Sequence, residues 1–172
     1  MSSEIDRKIR YCAMWCHLAI LSGAPLIIAI VAVFPKILPQ YVKVEQNLNV
    51  FFGFLFFSPA LGCILSIILA MTIWRKNRLR HPFIEDSGRE VMNYLLSIAL
   101  YLFVIDSIVC AGCGFGDIFR GEIALLLGTI AMAGILAHVI LVLLVSINAI
   151  VASIQAARGK LFHYPYMIHF FR

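Results

Sequence analysis

Residues 123–154 read IALLLGTIAMAGILAHVILVLLVSINAIVASI, 32 residues without a single Asp, Glu, Lys or Arg. About 20 apolar residues at 1.5 Å each suffice to cross the hydrocarbon core of a bilayer, and no soluble domain of this size could bury a helix that is apolar on every face. Three further runs share this character: residues 12–34 and 50–74 carry no charge, and residues 94–115 carry one, Asp106. Over the whole chain, 62% of residues are hydrophobic and 13% charged, against roughly 45–50% and about 25% in soluble domains. The composition assigns an integral membrane protein, all-α, with four transmembrane helices in one bundle spanning residues 1–172 as a single domain. A straight helix of 32 residues would measure about 48 Å, so the fourth span must tilt, project, or begin with an interfacial turn near residues 123–128.

Lys and Arg are distributed unequally between the connections. Eleven fall on one side: Arg7, Lys8 and Arg10, then Arg75, Lys76, Arg78, Arg80 and Arg89, then Arg158, Lys160 and Arg172. Three fall on the other: Lys36, Lys43 and Arg120. The positive-inside rule places both termini and the central loop in the cytoplasm or its topological equivalent. Tyr11, Trp15, Trp74 and Tyr94 then stand at inner ends of spans, as an interfacial aromatic belt would. The first run exceeds the usual h-region of about 7–15 residues and lacks a small-x-small site after it, so it reads as a retained span. A net charge of +5 is accounted for by these flanking clusters, which lack aromatic interleaving. No nucleic-acid partner is expected.

Candidate chemistry is sparse. Cys12 and Cys16 precede His17, but three residues separate the cysteines where covalent haem attachment needs two. Cys110 and Cys113 form a C-x-x-C near the outer end of the third span, open to a disulfide or to simple close packing. His81, Glu85, Asp86 and Glu90 lack recognisable metal-ligand spacing, and Arg78, Arg80 and Arg89 compete for the carboxylates. No H-E-x-x-H, G-x-S-x-G or phosphate loop occurs, so no enzymatic activity, catalytic residue, metal or cofactor is expected. Inside the spans, Asp106, His138 and Asn148 stand out. Asp106 with His138 could handle protons or ions, or all three could serve as interhelical hydrogen-bonding groups. Asp106 counts nearer the outer surface than His138. Ala133 with Ala137 and Ala152 with Ala156 recur at the four-residue spacing that suits close helix packing.

The polar stretch RKNRLRHPFIEDSGREVMNY, residues 75–94, interrupts this apolar background. Its first half sets orientation, and Pro82 is placed to start an amphipathic interfacial segment leading into the third span. Asn93 is positioned to cap or cross-link helices. The final KLFHYPYMIHFF, residues 160–171, is aromatic and basic and reads as lying on the inner bilayer surface, with Tyr164-Pro165 turning it back toward the bundle.

PFIEDSGREVMNYLLSIALY (residues 82–101), HLAILSG (residues 17–23) and NAIVASIQAARGKLFHYPYMI (residues 148–168) together resemble a bacterial family of small four-helix membrane proteins related to the twenty-kilodalton subunit of the chloroplast inner-envelope protein-import translocon. The matching positions are Pro82, Gly88, Arg89, Glu90 and Asn93 centrally, and Ala157, Gly159, Tyr164 and Pro165 terminally. The resemblance implies a non-enzymatic protein of a bacterial inner, thylakoid or plastid membrane. It would act in protein translocation or membrane-complex assembly, with those residues docking other membrane proteins or further copies. The competing expectation is a small ion- or proton-handling transporter using Asp106.

Overall fold

A computed structural model describes residues 6–23, 44–116 and 121–171, all of whose regular structure is helical. Helix α1 spans Arg7–Leu18 and passes into a 3-10 turn, Ala19–Ser22. Helix α2 spans Val44–Asn77 and also ends in a 3-10 turn, Arg78–Arg80. Helix α3 covers Pro82–Gly116 and α4 covers Glu122–Ala157. Within the last two, Pro82–Gly112 and Leu125–Ala157 are long and apolar enough to cross a membrane. The outer parts of the first expected span and of the loop after it lie outside the described residues.

Several expectations change in detail. Residues 44–49, read as loop, already belong to α2. No separate interfacial segment precedes the third span. Pro82 occupies the first position of a continuous 35-residue helix, where its missing N–H costs nothing. His81 starts that helix by accepting Phe83 N–H on its ring Nδ1 at 3.1 Å, while its carbonyl accepts the amide of Ile84. Likewise α4 is one helix of 36 residues, starting after Gly121 at φ 71° with no interfacial turn.

Packing explains the 3-10 turn after α1. Ser66 of α2 donates its hydroxyl to the Ile20 carbonyl at 3.0 Å, capturing an acceptor that the change of helix type leaves free. There the backbones of Gly23 and Gly62 meet so closely that a Cβ on Gly23 would lie 2.5 Å from the Gly62 oxygen. The main core lies toward the end of the bundle that holds the chain's beginning and tail, built from Cys16, Ile20, Ala70, Val91, Met92, Leu95, Ala149 and Ala152. Ala152 and Ala156 face this core, whereas Ala133 and Ala137 are exposed, so the two alanine pairs serve different surfaces.

Tyr94 and Trp74 are not belt residues. They are 3% and 8% exposed, within the core, while Tyr11 and Trp15 remain open at 49% and 57%. The difference follows from the tail, which covers the first pair.

Candidate functional site

The carboxyl-terminal segment, expected along the inner bilayer surface, packs on the bundle. It folds back against α3 and α1, starting from the end of α4. Gly159, at φ 75°, takes the left-handed conformation that residues with a Cβ avoid. Its amide donates to Ala156 and that of Lys160 to Gln155, the paired bonds of a Schellman stop. Gly159 thereby aims the tail back toward the bundle.

The segment then descends beside α3 and reverses. His163 Nδ1 lies 2.9 Å from Glu90 Oε1, and Tyr164 stacks on Tyr94 with ring centroids 4.0 Å apart. Pro165 and Tyr166 form the reversal. Tyr166 holds φ 58°, a conformation that costs a non-glycine residue about 1–3 kcal/mol. The Tyr101 hydroxyl donates to the Tyr166 carbonyl at 2.8 Å and holds the turn there. On the way back, Ile168 N–H donates to Ser97 Oγ at 2.8 Å. Asn93 closes the path: its Oδ1 accepts from the amides of Phe170 and Phe171 at 3.0 and 2.8 Å, and its Nδ2 donates to the Phe171 carbonyl at 3.0 Å. An irregular backbone packed against the bundle leaves polar groups that must find partners in the protein. Asn93 and Ser97 provide them. Asn93 thus joins helix to tail rather than helix to helix.

Tyr164 is the hub. Its phenol lies 2.7 Å from His17 Nδ1 and is 5% exposed. Burial, reinforced by neighbouring Tyr94, Glu90 and Cys16, holds it well above the ordinary phenol value. It therefore keeps its proton and shares a hydrogen bond with His17 as a neutral phenol. Asn148 of α4 donates to the Tyr94 hydroxyl at 3.2 Å, so two hydrogen bonds joined by the Tyr94–Tyr164 ring stack tie α1, the tail, α3 and α4 together. Buried polar atoms without a protein partner remain at its margin, His17 Nε2 and Glu90 Oε2.

The other expected positions fall into place around this lock. Gly88 admits the Trp74 ring, since a Cβ there would sit 2.1 Å from Trp74 Cδ1. Trp74 in turn meets Phe171 edge-on at 6.2 Å, with Arg78 over its face at 5.9 Å. Arg89 pairs with Glu85 on its own helix at 2.6 Å, a half-exposed contact that contributes little. Sequence reading missed the participation of His17, Ser97 and Tyr101. The available signal was their spacing: Asn93, Ser97 and Tyr101 recur every four residues along one face of α3.

A second polar link lies toward the opposite end. Asp106 Oδ1 and His138 Nδ1 are 3.1 Å apart between α3 and α4, with side chains 18% and 11% exposed. Sequence counting set them at different depths, but α3 and α4 pass each other with Gly112 against Leu127 and Ala131 and with Val109 against Gly134, a register that brings His138 level with Asp106. Cys110 is a free, exposed thiol, and the side chain of Cys113 lies outside the described residues.

A family model described as the magnetosome magnetite crystal formation protein family matches residues 44–171. No curated protein and no solved structure matches the chain. This match overturns the resemblance to the chloroplast translocon subunit and the roles it implied. Neither protein translocation nor the ion- or proton-handling alternative is supported. The physical reason lies in what the resembling patches do. Gly88, Asn93, Gly159, Tyr164 and Pro165 build the tail lock, an architectural device whose residues carry no information about cargo. Asp106 contacts His138 as an interhelical link.

Proposed function

This chain belongs to the magnetosome magnetite crystal formation protein family, and on that premise we propose that it is an integral membrane component of the compartment in which magnetite crystals form. It acts there as a rigid helical scaffold and not by catalysis. The observation that carries the reading is the extent of the family match, which takes in α2, α3, α4 and the whole docked tail. The side chains suited to chemistry at that end support a structural role, because Asn93, Ser97 and Tyr101 are occupied by the tail backbone. In this reading four spans cross the magnetosome membrane with both termini on the cytoplasmic side. The exposed flank of α4 around Ala133 and Ala137 then meets further copies or other membrane proteins.

Magnetic isolation of particles from cells making the tagged chain tests this placement. The chain should stay with the particles through high-salt and alkaline carbonate washes and leave with detergent. Recovery of the chain only in non-magnetic membranes contradicts it.

A further inference from the structure

Helices α1 and α4 run antiparallel and leave an apolar groove of about 350 Å³ along their outer seam. Its walls are Met14 and Leu18 from α1 and Ile150, Ile154 and Ala157 from α4, and Arg158 stands at one end. Arg158 is the one charged side chain lining the groove, and helical spacing sets Arg10, one turn before Met14 on the same stripe of α1, toward the same mouth. Neither Arg10 nor Arg158 makes an ion pair among the described residues, and Arg10 Nε is buried without a partner. Arg158 is exposed and Arg10 partly so, which leaves both guanidinium groups open to an anion, while the trough beside them offers an apolar extension of that anion a place out of water.

We propose that this groove binds one anionic phospholipid, an acyl chain lying between α1 and α4 and the phosphate resting on Arg10 and Arg158. The dimensions agree. Met14 to Leu18 on α1 and Ile150 to Ile154 on α4 each rise about 6 Å, enough for the first few methylenes of an acyl chain, and the arginines stand about 6 Å further along, at the headgroup end. At that mouth the start of α1 and the end of α4 present helix dipoles of opposite sign, so the guanidinium groups set the preference for negative charge. The inference requires a bilayer around the bundle and does not depend on the mineral-forming role.

Native mass spectrometry of the full chain in mild detergent, titrated with phosphatidylglycerol or phosphatidylcholine, tests it. Wild type should saturate with one phosphatidylglycerol and prefer it about 30-fold, as two guanidinium contacts predict. Arg10→Gln with Arg158→Gln should bring the preference near unity. Arg75→Gln with Lys76→Gln, at cations of α2 outside the groove, should leave it unchanged. Ile154→Trp, filling the trough, should remove the single tight adduct, and Ala157→Leu provides a milder filling if that variant does not fold. An unchanged preference in the double arginine variant overturns the proposal. So does equal loss at Arg75 and Lys76, or adducts accumulating without saturation, which would mean diffuse surface charge. Displacement of the lipid by inorganic phosphate alone would mean a free-anion site and would also overturn it.

Discussion

The Asn93 side chain makes three hydrogen bonds to the last two described residues, two from the amides of Phe170 and Phe171 and one to the Phe171 carbonyl. One buried amide on α3 thus fixes the end of the chain, 78 residues away in sequence. Asn93→Ala leaves both amides and the carbonyl unpaired, at about 1 kcal/mol for each bond. Limited proteolysis should then cleave within residues 160–171 at a rate at least tenfold above wild type. Asn93→Asp keeps the acceptor and loses the donor, so its tail should show intermediate protection. Equal cleavage of all three proteins would show that the tail is held elsewhere.

Gly88 and Trp74 form a coupled pair. Gly88→Ala places a methyl group inside the indole ring position, which should cost about 1–3 kcal/mol of stability. In a Trp15→Phe background Trp74 is the remaining tryptophan, and its emission should shift to the red as the ring is displaced. Trp74→Leu added to Gly88→Ala should recover part of the loss. A strictly additive double variant would contradict the contact.

Tyr164 predicts a pH dependence with a definite sign. Its folded-state pKa is raised, so the fold favours the neutral phenol. The resulting stability is complete below the unfolded value, about 10, and is lost as pH rises beyond it toward the folded value. Thermal unfolding between pH 8 and pH 11 should therefore fall more steeply for wild type than for Tyr164→Phe. The variant should be less stable at pH 8, where it lacks the bond to His17. Parallel curves would remove Tyr164 as a contributor.

Asp106 and His138 should behave as a structural pair. Interhelical polar contacts in membranes average about 0.6 kcal/mol, so each single alanine variant should lower the melting temperature by only a few degrees. The double variant should lose less than the sum. Full additivity would mean that the 3.1 Å contact does not bind the helices together.

Helical content and apolar spans are legible in residues 123–154 because period and charge suffice to identify them. The tail lock was half legible. Gly159 and Pro165 mark a stop and a turn by local chemistry alone, and Asn93 stands out as a polar residue opening a span. Their common purpose depends on contacts spanning 71 and 78 residues, Ser97 with Ile168 and Asn93 with Phe171. No local pattern encodes those. The aromatic tail misled for the same reason: Tyr164 and Tyr94 suit an interface until a stacked partner buries them. Function was the least legible, since architectural residues resemble one another across proteins that do different work.

The central claim is that this chain helps form magnetite crystals through a bundle whose tail is locked in place. The most direct measurement is electron microscopy of crystal size and shape in magnetosome-forming cells lacking the gene and complemented with wild type or Asn93→Ala at matched protein levels. The account predicts altered crystals in the deletion strain, restored by wild type and not fully restored by Asn93→Ala. Crystals of unchanged number, size and shape in the deletion strain would contradict it.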